Sequence, residues 1–149
     1  MDLRPYQPDD REGCLAVFDS NLPEFFHPGE RPDFAGFLDR PDGSYFVLDH
    51  DGVVVGCGGY AIENADLASI CWLMVRHDLH RNGLGKFLLF AAMRKATAQG
   101  DPTRVRLDTT PQVAAFFEKQ GFRVQEVTPD GIAPGFDRVE MVKKMKVCA

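Results

Sequence analysis

Between positions 73 and 86 the chain reads Leu73-Met74-Val75-Arg76-His77-Asp78-Leu79-His80-Arg81-Asn82-Gly83-Leu84-Gly85-Lys86, and an apolar helical pattern follows. The spacing predicts a strand, a short loop, and a glycine turn that opens a helix. The first backbone N–H groups of a helix have no partner within it, and the aligned peptide dipoles add partial positive charge there. Such a turn binds phosphate. Gly83 and Gly85 lack a Cβ, so the backbone can approach an anion closely. Arg76, Arg81 and Lys86 gather cationic side chains around the turn, in a chain whose formal net charge is -5.

Two phosphate-binding patterns do not fit. A dinucleotide fingerprint needs a third glycine at the position of Leu88. A P-loop needs glycine at His80 and Ser or Thr at Phe87. What remains is Arg81-x-Gly83-x-Gly85-Lys86. A solvated, basic helix start would carry the same letters, so the elements around the turn decide what it does.

Those elements are legible. Leu3 to Tyr6 reads as a strand and Pro8 to Ser20 as a helix. Arg31 to Leu38 reads as a second helix, with Pro23, Pro28 and Pro32 in the link. Tyr45 to Asp49 and Val53 to Glu63 read as strands joined by His50-Asp51-Gly52, and Asp-Gly is a hairpin signal. Ala68 to Val75 is an apolar strand. Leu84 to Gln99 is the clearest helix, with Leu84, Leu88, Ala91, Ala92 and Lys95 at helical spacing. Thr103 to Thr109 alternates Val105 and Leu107 with charged residues. Pro111 to Gln120 is a helix opened by proline and closed by Gly121. Phe122 to Thr128 and Val139 to Met145 are closing strands, and Thr128 to Arg138 reads as an ordered loop between them. A surface ion pair is expected between Asp137 and Arg138.

The turn resembles the acyl-CoA pyrophosphate loop of the GNAT superfamily of N-acetyltransferases, whose pattern is Gln or Arg, two residues, Gly, one residue, Gly or Ala. Gly83 and Gly85 match, and His80 departs at the first position. A second segment, Phe116-Phe117-Glu118-Lys119-Gln120-Gly121-Phe122, resembles the family's Tyr, three residues, Gly, Phe. Phe117 takes the tyrosine's place. The order of elements resembles that fold over nearly the whole chain. The resemblance implies an α/β (α+β) class, a three-layer αβα arrangement with a central mixed, mostly antiparallel sheet splayed at the acetyl-CoA site. It implies one N-acetyltransferase domain over residues 1–149.

The chemistry implied is transfer of an acetyl group from acetyl-CoA, as co-substrate, to an amine by direct attack in a ternary complex. The resemblance puts Arg81, Asn82, Gly83, Leu84, Gly85 and Lys86 on the pyrophosphate, and the backbone of Leu73, Met74 and Val75 along the pantetheine. A backbone N–H of that strand would polarise the thioester carbonyl. A protonated amine needs a general base. Glu24, Glu63, Asp66, His77, His80 and Asp108 are candidates, and Glu63, ending a strand beside the donor strand, is preferred. Glu24 and Phe25 fall in a loop that in such enzymes helps form the acceptor pocket. The tyrosine that reprotonates the leaving thiolate is Phe117 here and has no proton to give. Thr109, Thr110 or water would then serve. This departure keeps open an alternative, an acyl-CoA-binding regulatory module with weak or no transfer. A nucleotide or phosphosugar binder is a third reading.

Composition narrows the partners. With 149 residues, 44% of them hydrophobic and twelve of them Phe, the chain can bury one sizeable core. Cys14, Cys57, Cys71 and Cys148 form no C-x-x-C pair, which fits free thiols in a cytoplasmic protein and no metal. Cys71 reads as a small core residue rather than a nucleophile, and Trp72 as core. His77 and His80 lie in a loop, where His-x-x-His does not seat a metal. An acidic pI near 5.3 disfavours nucleic acid. Neither a signal peptide nor a membrane span is expected. The expected partner is a small-molecule or peptide amine, with a homodimer implied by the resemblance.

Overall fold

Asp51 and Gly52 take φ of +52° and +84°, the paired left-handed conformation of a two-residue type I′ turn. From that turn β2 (Ser44–His50) and β3 (Val53–Asn64) run antiparallel. The protein is described by a computed structural model over residues 1–145; Cys148 lies outside the described residues. The other strands are β1 (Asp2–Pro5), β4 (Leu67–Val75), β5 (Arg104–Thr109), β6 (Arg123–Ala133) and β7 (Phe136–Lys144). Together they make one open sheet of seven strands in the order β1-β2-β3-β4-β5-β7-β6. Only the β4–β5 pair is parallel.

The helices are α1 (Arg11–Ser20), α2 (Arg31–Asp39), α3 (Leu84–Gly100) and α4 (Pro111–Lys119). Successive side chains of a strand face opposite sides of a sheet, and the core divides accordingly. Phe18 of α1 and Phe34 of α2 pack on Tyr45, Val47 and Met74. Leu89 and Met93 of α3 and Phe117 of α4 pack on Val105, Leu107 and Met141. Two helices on each face of the sheet give the three layers that the resemblance implies. Among the described residues no helix is long and apolar enough to cross a membrane.

Four expectations change. Pro8–Asp10 forms a 3₁₀ turn before α1 starts. The stretch expected as a loop, Thr128 to Arg138, is mostly strand: β6 runs to Ala133, β7 begins at Phe136, and Pro134 and Gly135 make the turn. Pro129 and Gly131 sit at a register shift between Thr128 and Ala133, an irregularity in the ladder rather than a chain break. Asp137 accepts a hydrogen bond from Asp130 N at 2.9 Å, and among the described residues it forms no ion pair with Arg138. Trp72 is half-buried at a strand irregularity, packed against the edge of the core with Phe34 at 5.0 Å, and also lines the cavity.

Candidate active site

β4 and β5 pair only at Leu67 with Arg104, Ala68 with Val105 and Ser69 with Arg106. Beyond Ser69, β4 continues to Val75 against β3, while β5 continues to Thr109 against β7. The two strands part, and a cavity of about 1370 Å3 opens between them. A pocket for one small ligand is typically about 300–1,000 Å3. This one has room for two molecules side by side.

At the parting point β4 carries a bulge. Cys57 pairs with Met74 and Gly59 with Cys71, so Gly58 faces both Trp72 and Leu73. Trp72 takes the left-handed φ of +42° that the extra residue demands. A Cβ on the neighbouring Gly59 would run into Ser44 O and lie 2.8 Å from Tyr45 Cα, so the close approach of β2 requires glycine there. Tyr45 Oη donates to the Trp72 carbonyl at 2.6 Å and holds the bulge from behind. Burial raises the Tyr45 phenol well above its ordinary range, so it stays a donor. An irregular strand of this kind re-aims backbone groups out of the ladder and toward the cavity.

At the C-terminal end of β4 the chain enters the glycine turn. Gly83 is the N-cap of α3 with φ of +79°, and no side chain caps the helix. Phe87 N is the first to bond back, to Gly83 O at 3.0 Å, which leaves the preceding N–H groups of the turn free for an anion. A Cβ on Gly83 would meet nothing within 4 Å, and one on Gly85 only Phe116 at 3.5 Å. Packing within the protein therefore does not demand glycine at 85. The backbone of the turn is open on that side, with room for an anion to lie against it. Arg81 and Lys86 line the cavity, whereas Arg76 grips Asp78 at 2.7 Å and lies outside it. That contact holds the Asp78 carboxyl below its usual range. His80 lines the cavity with Nε2 2.9 Å from Val75 O, so that nitrogen carries the proton and donates.

Leu73, Met74, Val75, Gly83, Gly85, Phe25, Glu63 and Phe117 also line the cavity; Glu24, Asn82 and Leu84 do not. Asn82 is exposed, Leu84 packs beside Leu48, Val55 and Leu88, and Glu24 lies 3.5 Å from His77 at the surface. Glu63 sits on the rim with Arg106 Nη1 at 3.9 Å, the outer limit of an ion pair. Arg106 is committed more closely to Glu140 at 2.8 Å and Asp108 at 3.0 Å. Glu63 is thus the least restrained of the three. Burial pushes the Cys71 thiol up to about 11, and the carboxylates of Asp42 and Glu63 add to it. Near neutrality it remains a thiol and is a poor nucleophile.

Phe117 is 6% exposed and packs edge-on against Phe122 at 5.9 Å. Across the cavity mouth Thr110 is the N-cap of α4, yet its hydroxyl makes no cap bond. That Oγ1 is buried, without a partner, on a residue that lines the cavity. Asn21 Oδ1 is also buried and unpartnered, on a residue that lines the cavity. Sequence reasoning missed Tyr45, Asn21 and Asp42. The Gly58-Gly59 pair inside a strand was a readable sign of the bulge; nothing in the sequence marks Asn21.

The sequence matches the model of the acetyltransferase (GNAT) family over residues 14–122. No curated protein matches it. Among solved structures, a GNAT-family protein from Desulfovibrio desulfuricans is 18% identical, with 96% of this chain and 98% of that one covered and a TM-score of 0.82. The Ard1 protein from Thermoplasma volcanium is 20% identical, covering 98% of each chain, with a TM-score of 0.79. An aminoglycoside 6'-N-acetyltransferase complexed with coenzyme A is 14% identical, covering 100% of this chain and 99% of that one, with a TM-score of 0.78. These likenesses are of fold; the family match spans most of the chain. The chain belongs to the acetyltransferase (GNAT) family and is an enzyme of that type.

Proposed function

We propose that this enzyme transfers an acetyl group from acetyl-CoA to an amine by direct attack in a ternary complex. The observation that carries the reading is the parting of β4 from β5 beside a bulge, with a cationic glycine turn at the end of the same strand. The N–H groups of the turn, with Arg81 and Lys86, would hold the pyrophosphate. The open edge of Leu73, Met74 and Val75 would hold the pantetheine as an added strand does. When bound, acetyl-CoA supplies an activated thioester. The bulge directs a backbone N–H to the oxygen on which charge develops. Glu63, through water, takes the proton of the acceptor ammonium. The Thr110 hydroxyl donates a hydrogen bond to the departing sulfur. The thiol pKa of about 8.5 makes a thiolate a tolerable leaving group without the tyrosine. The protonated Cys71 thiol supports direct attack over an acyl-cysteine route.

Phe117 favours a second reading, a module that binds acyl-CoA and transfers slowly or not at all. One experiment separates the two. Thermal shift with acetyl-CoA and thiol release with a panel of amines are measured for the native protein and for Gly83→Asp. The added side chain has open space and brings a negative charge to the turn. Acetyl-CoA at one hundred times its Kd is expected to stabilise the native protein by about 2.7 kcal/mol and the variant negligibly. Thiol release with an amine supports the transferase. Stabilisation without release for any amine selects the binding module. No stabilisation defeats the assignment of the turn.

A further inference from the structure

The two ends of the cavity offer different chemistry. One presents Arg81, Lys86 and backbone N–H groups. The other presents Glu30, Asp33 and Asp42, together with the aromatic faces of Phe26, Phe37 and Trp72; Arg138 also lines the cavity, as does Arg106, which is held by Asp108 and Glu140. Among the described residues none of these three carboxylates has a cationic side chain within ion-pair range, whereas Asp19, Asp39 and Glu140 all have arginine partners. The rings of Phe26 and Phe37 each lie 6.5 Å from Trp72, and all three are half-buried. The left-handed residue of the β4 bulge thus places its indole on the wall beside the re-aimed backbone.

A second observation points the same way. Asn21 is 2% exposed, and its amide N–H groups donate to Val17 O at 2.9 Å and Val75 O at 3.0 Å. Two carbonyl partners fix which way the amide faces. Its Oδ1 is buried with no donor, on a residue that lines the cavity. A buried acceptor without a donor carries a standing cost, which an N–H from a ligand removes. Phe25 N donates to Asn21 O at 3.0 Å, so the turn that holds this amide also carries the aromatic pair Phe25 and Phe26.

We propose, resting on the transfer reading above, that the acceptor is a primary amine carrying a single positive charge on an aromatic body, with no carboxylate. The ring lies on Phe26, Phe37 and Trp72. The ammonium is drawn in by Asp33 and Asp42 and reaches Glu63, while Glu30 already accepts from His27 N at 2.9 Å. A carboxylate on the ligand would meet Glu30, Asp33 and Asp42 with like charge. A polycation or a polyhydroxylated amine would leave the aromatic wall uncovered.

The test uses the full chain with acetyl-CoA and follows thiol release from 2-phenylethylamine, phenylalanine, spermidine, kanamycin and an alanine-initiated peptide. The value of kcat/KM for 2-phenylethylamine is expected to exceed that for phenylalanine by about 100-fold, since like charges brought together cost several kcal/mol. Asp33 and Asp42 are exposed, so Asp33→Asn with Asp42→Asn keeps the fold. The pair is expected to raise KM for 2-phenylethylamine by about tenfold, more than it lowers kcat. Preference for spermidine, kanamycin or the peptide, with ordinary CoA release, overturns the acceptor class and leaves the transferase standing. An unchanged KM in the double variant overturns it as well. A thermal shift by acetyl-CoA with no release from any amine overturns the transfer reading, and this inference with it.

Discussion

Two stretches of β4, its C-terminal end and the bulge three residues before it, are built from different materials. At Val75 the strand runs into the turn before α3, where backbone N–H groups and a glycine at φ of +79° do the work and side chains only add charge. At Trp72 the strand bulges, and what surrounds it is side chain: Tyr45 behind, aromatic faces beside, carboxylates at the rim. A backbone site asks little of sequence beyond glycine, so it can serve one constant ligand in many contexts. A side-chain site is specific to its own residues, and a change of one letter changes what it accepts. On the proposed reading the shared co-substrate takes the first stretch and the individual acceptor the second.

Variants at the acceptor end should therefore change turnover without changing acetyl-CoA affinity, the reverse of Gly83→Asp. The largest such effect is expected for Glu63→Gln. Removing a general base typically costs about 10²–10⁴-fold. We expect kcat to fall by about 100-fold, with acetyl-CoA affinity unchanged by calorimetry. A wild-type rate would move the base to Asp108 or to water alone.

Tyr45→Phe probes the bulge itself. The substitution keeps the ring in the core and removes only the bond to the Trp72 carbonyl. A hydrogen bond of this kind is worth about 0.5–1.5 kcal/mol, which corresponds to about tenfold at the upper end. A loss of about tenfold in kcat is expected, with a similarly modest loss of thermal stability and no change in acetyl-CoA affinity. Equal losses in acetyl-CoA affinity and turnover would mean that the two stretches are not separable.

The same division governs what could be read from the amino acids. The turn is legible because φ above zero and close anion approach leave glycines at fixed places. The hairpin at Asp51-Gly52 is legible for the same reason. The order of strands and helices follows from hydrophobic period, and it held except where Pro129, Gly131 and Pro134 suggested a loop. There β7 supplied ladder partners that carried β6 to Ala133 despite its composition. The splay is not legible. It depends on where pairing between β4 and β5 stops, three residues in, and no residue type marks that point. Arg76 was grouped with the phosphate cations because it is near them in sequence, but Asp78 two residues later claims it. Trp72 looked like core because large aromatics usually are; the bulge turns it to the cavity wall.

An effect no larger than that of Tyr45→Phe tests how the enzyme manages without a tyrosine. Thr is a favoured N-cap because its hydroxyl can accept from the first N–H groups of a helix. Thr110 stands at the N-cap of α4 and forgoes that bond, leaving a buried hydroxyl unpaired at the cavity. Phe117, two turns along the same helix, lines the cavity with a ring that cannot donate. If the Thr110 hydroxyl steadies the departing sulfur, Thr110→Val should lower kcat by about tenfold, the worth of one hydrogen bond to a developing charge. Phe117→Tyr in that background should restore it, because a phenol supplies the missing donor from the other side. The pH profile would then gain a basic limb as the phenol titrates near its usual pKa of about 10. A purely structural threonine predicts a different pattern: Thr110→Val would change thermal stability, turnover would follow it, and the phenol would rescue neither.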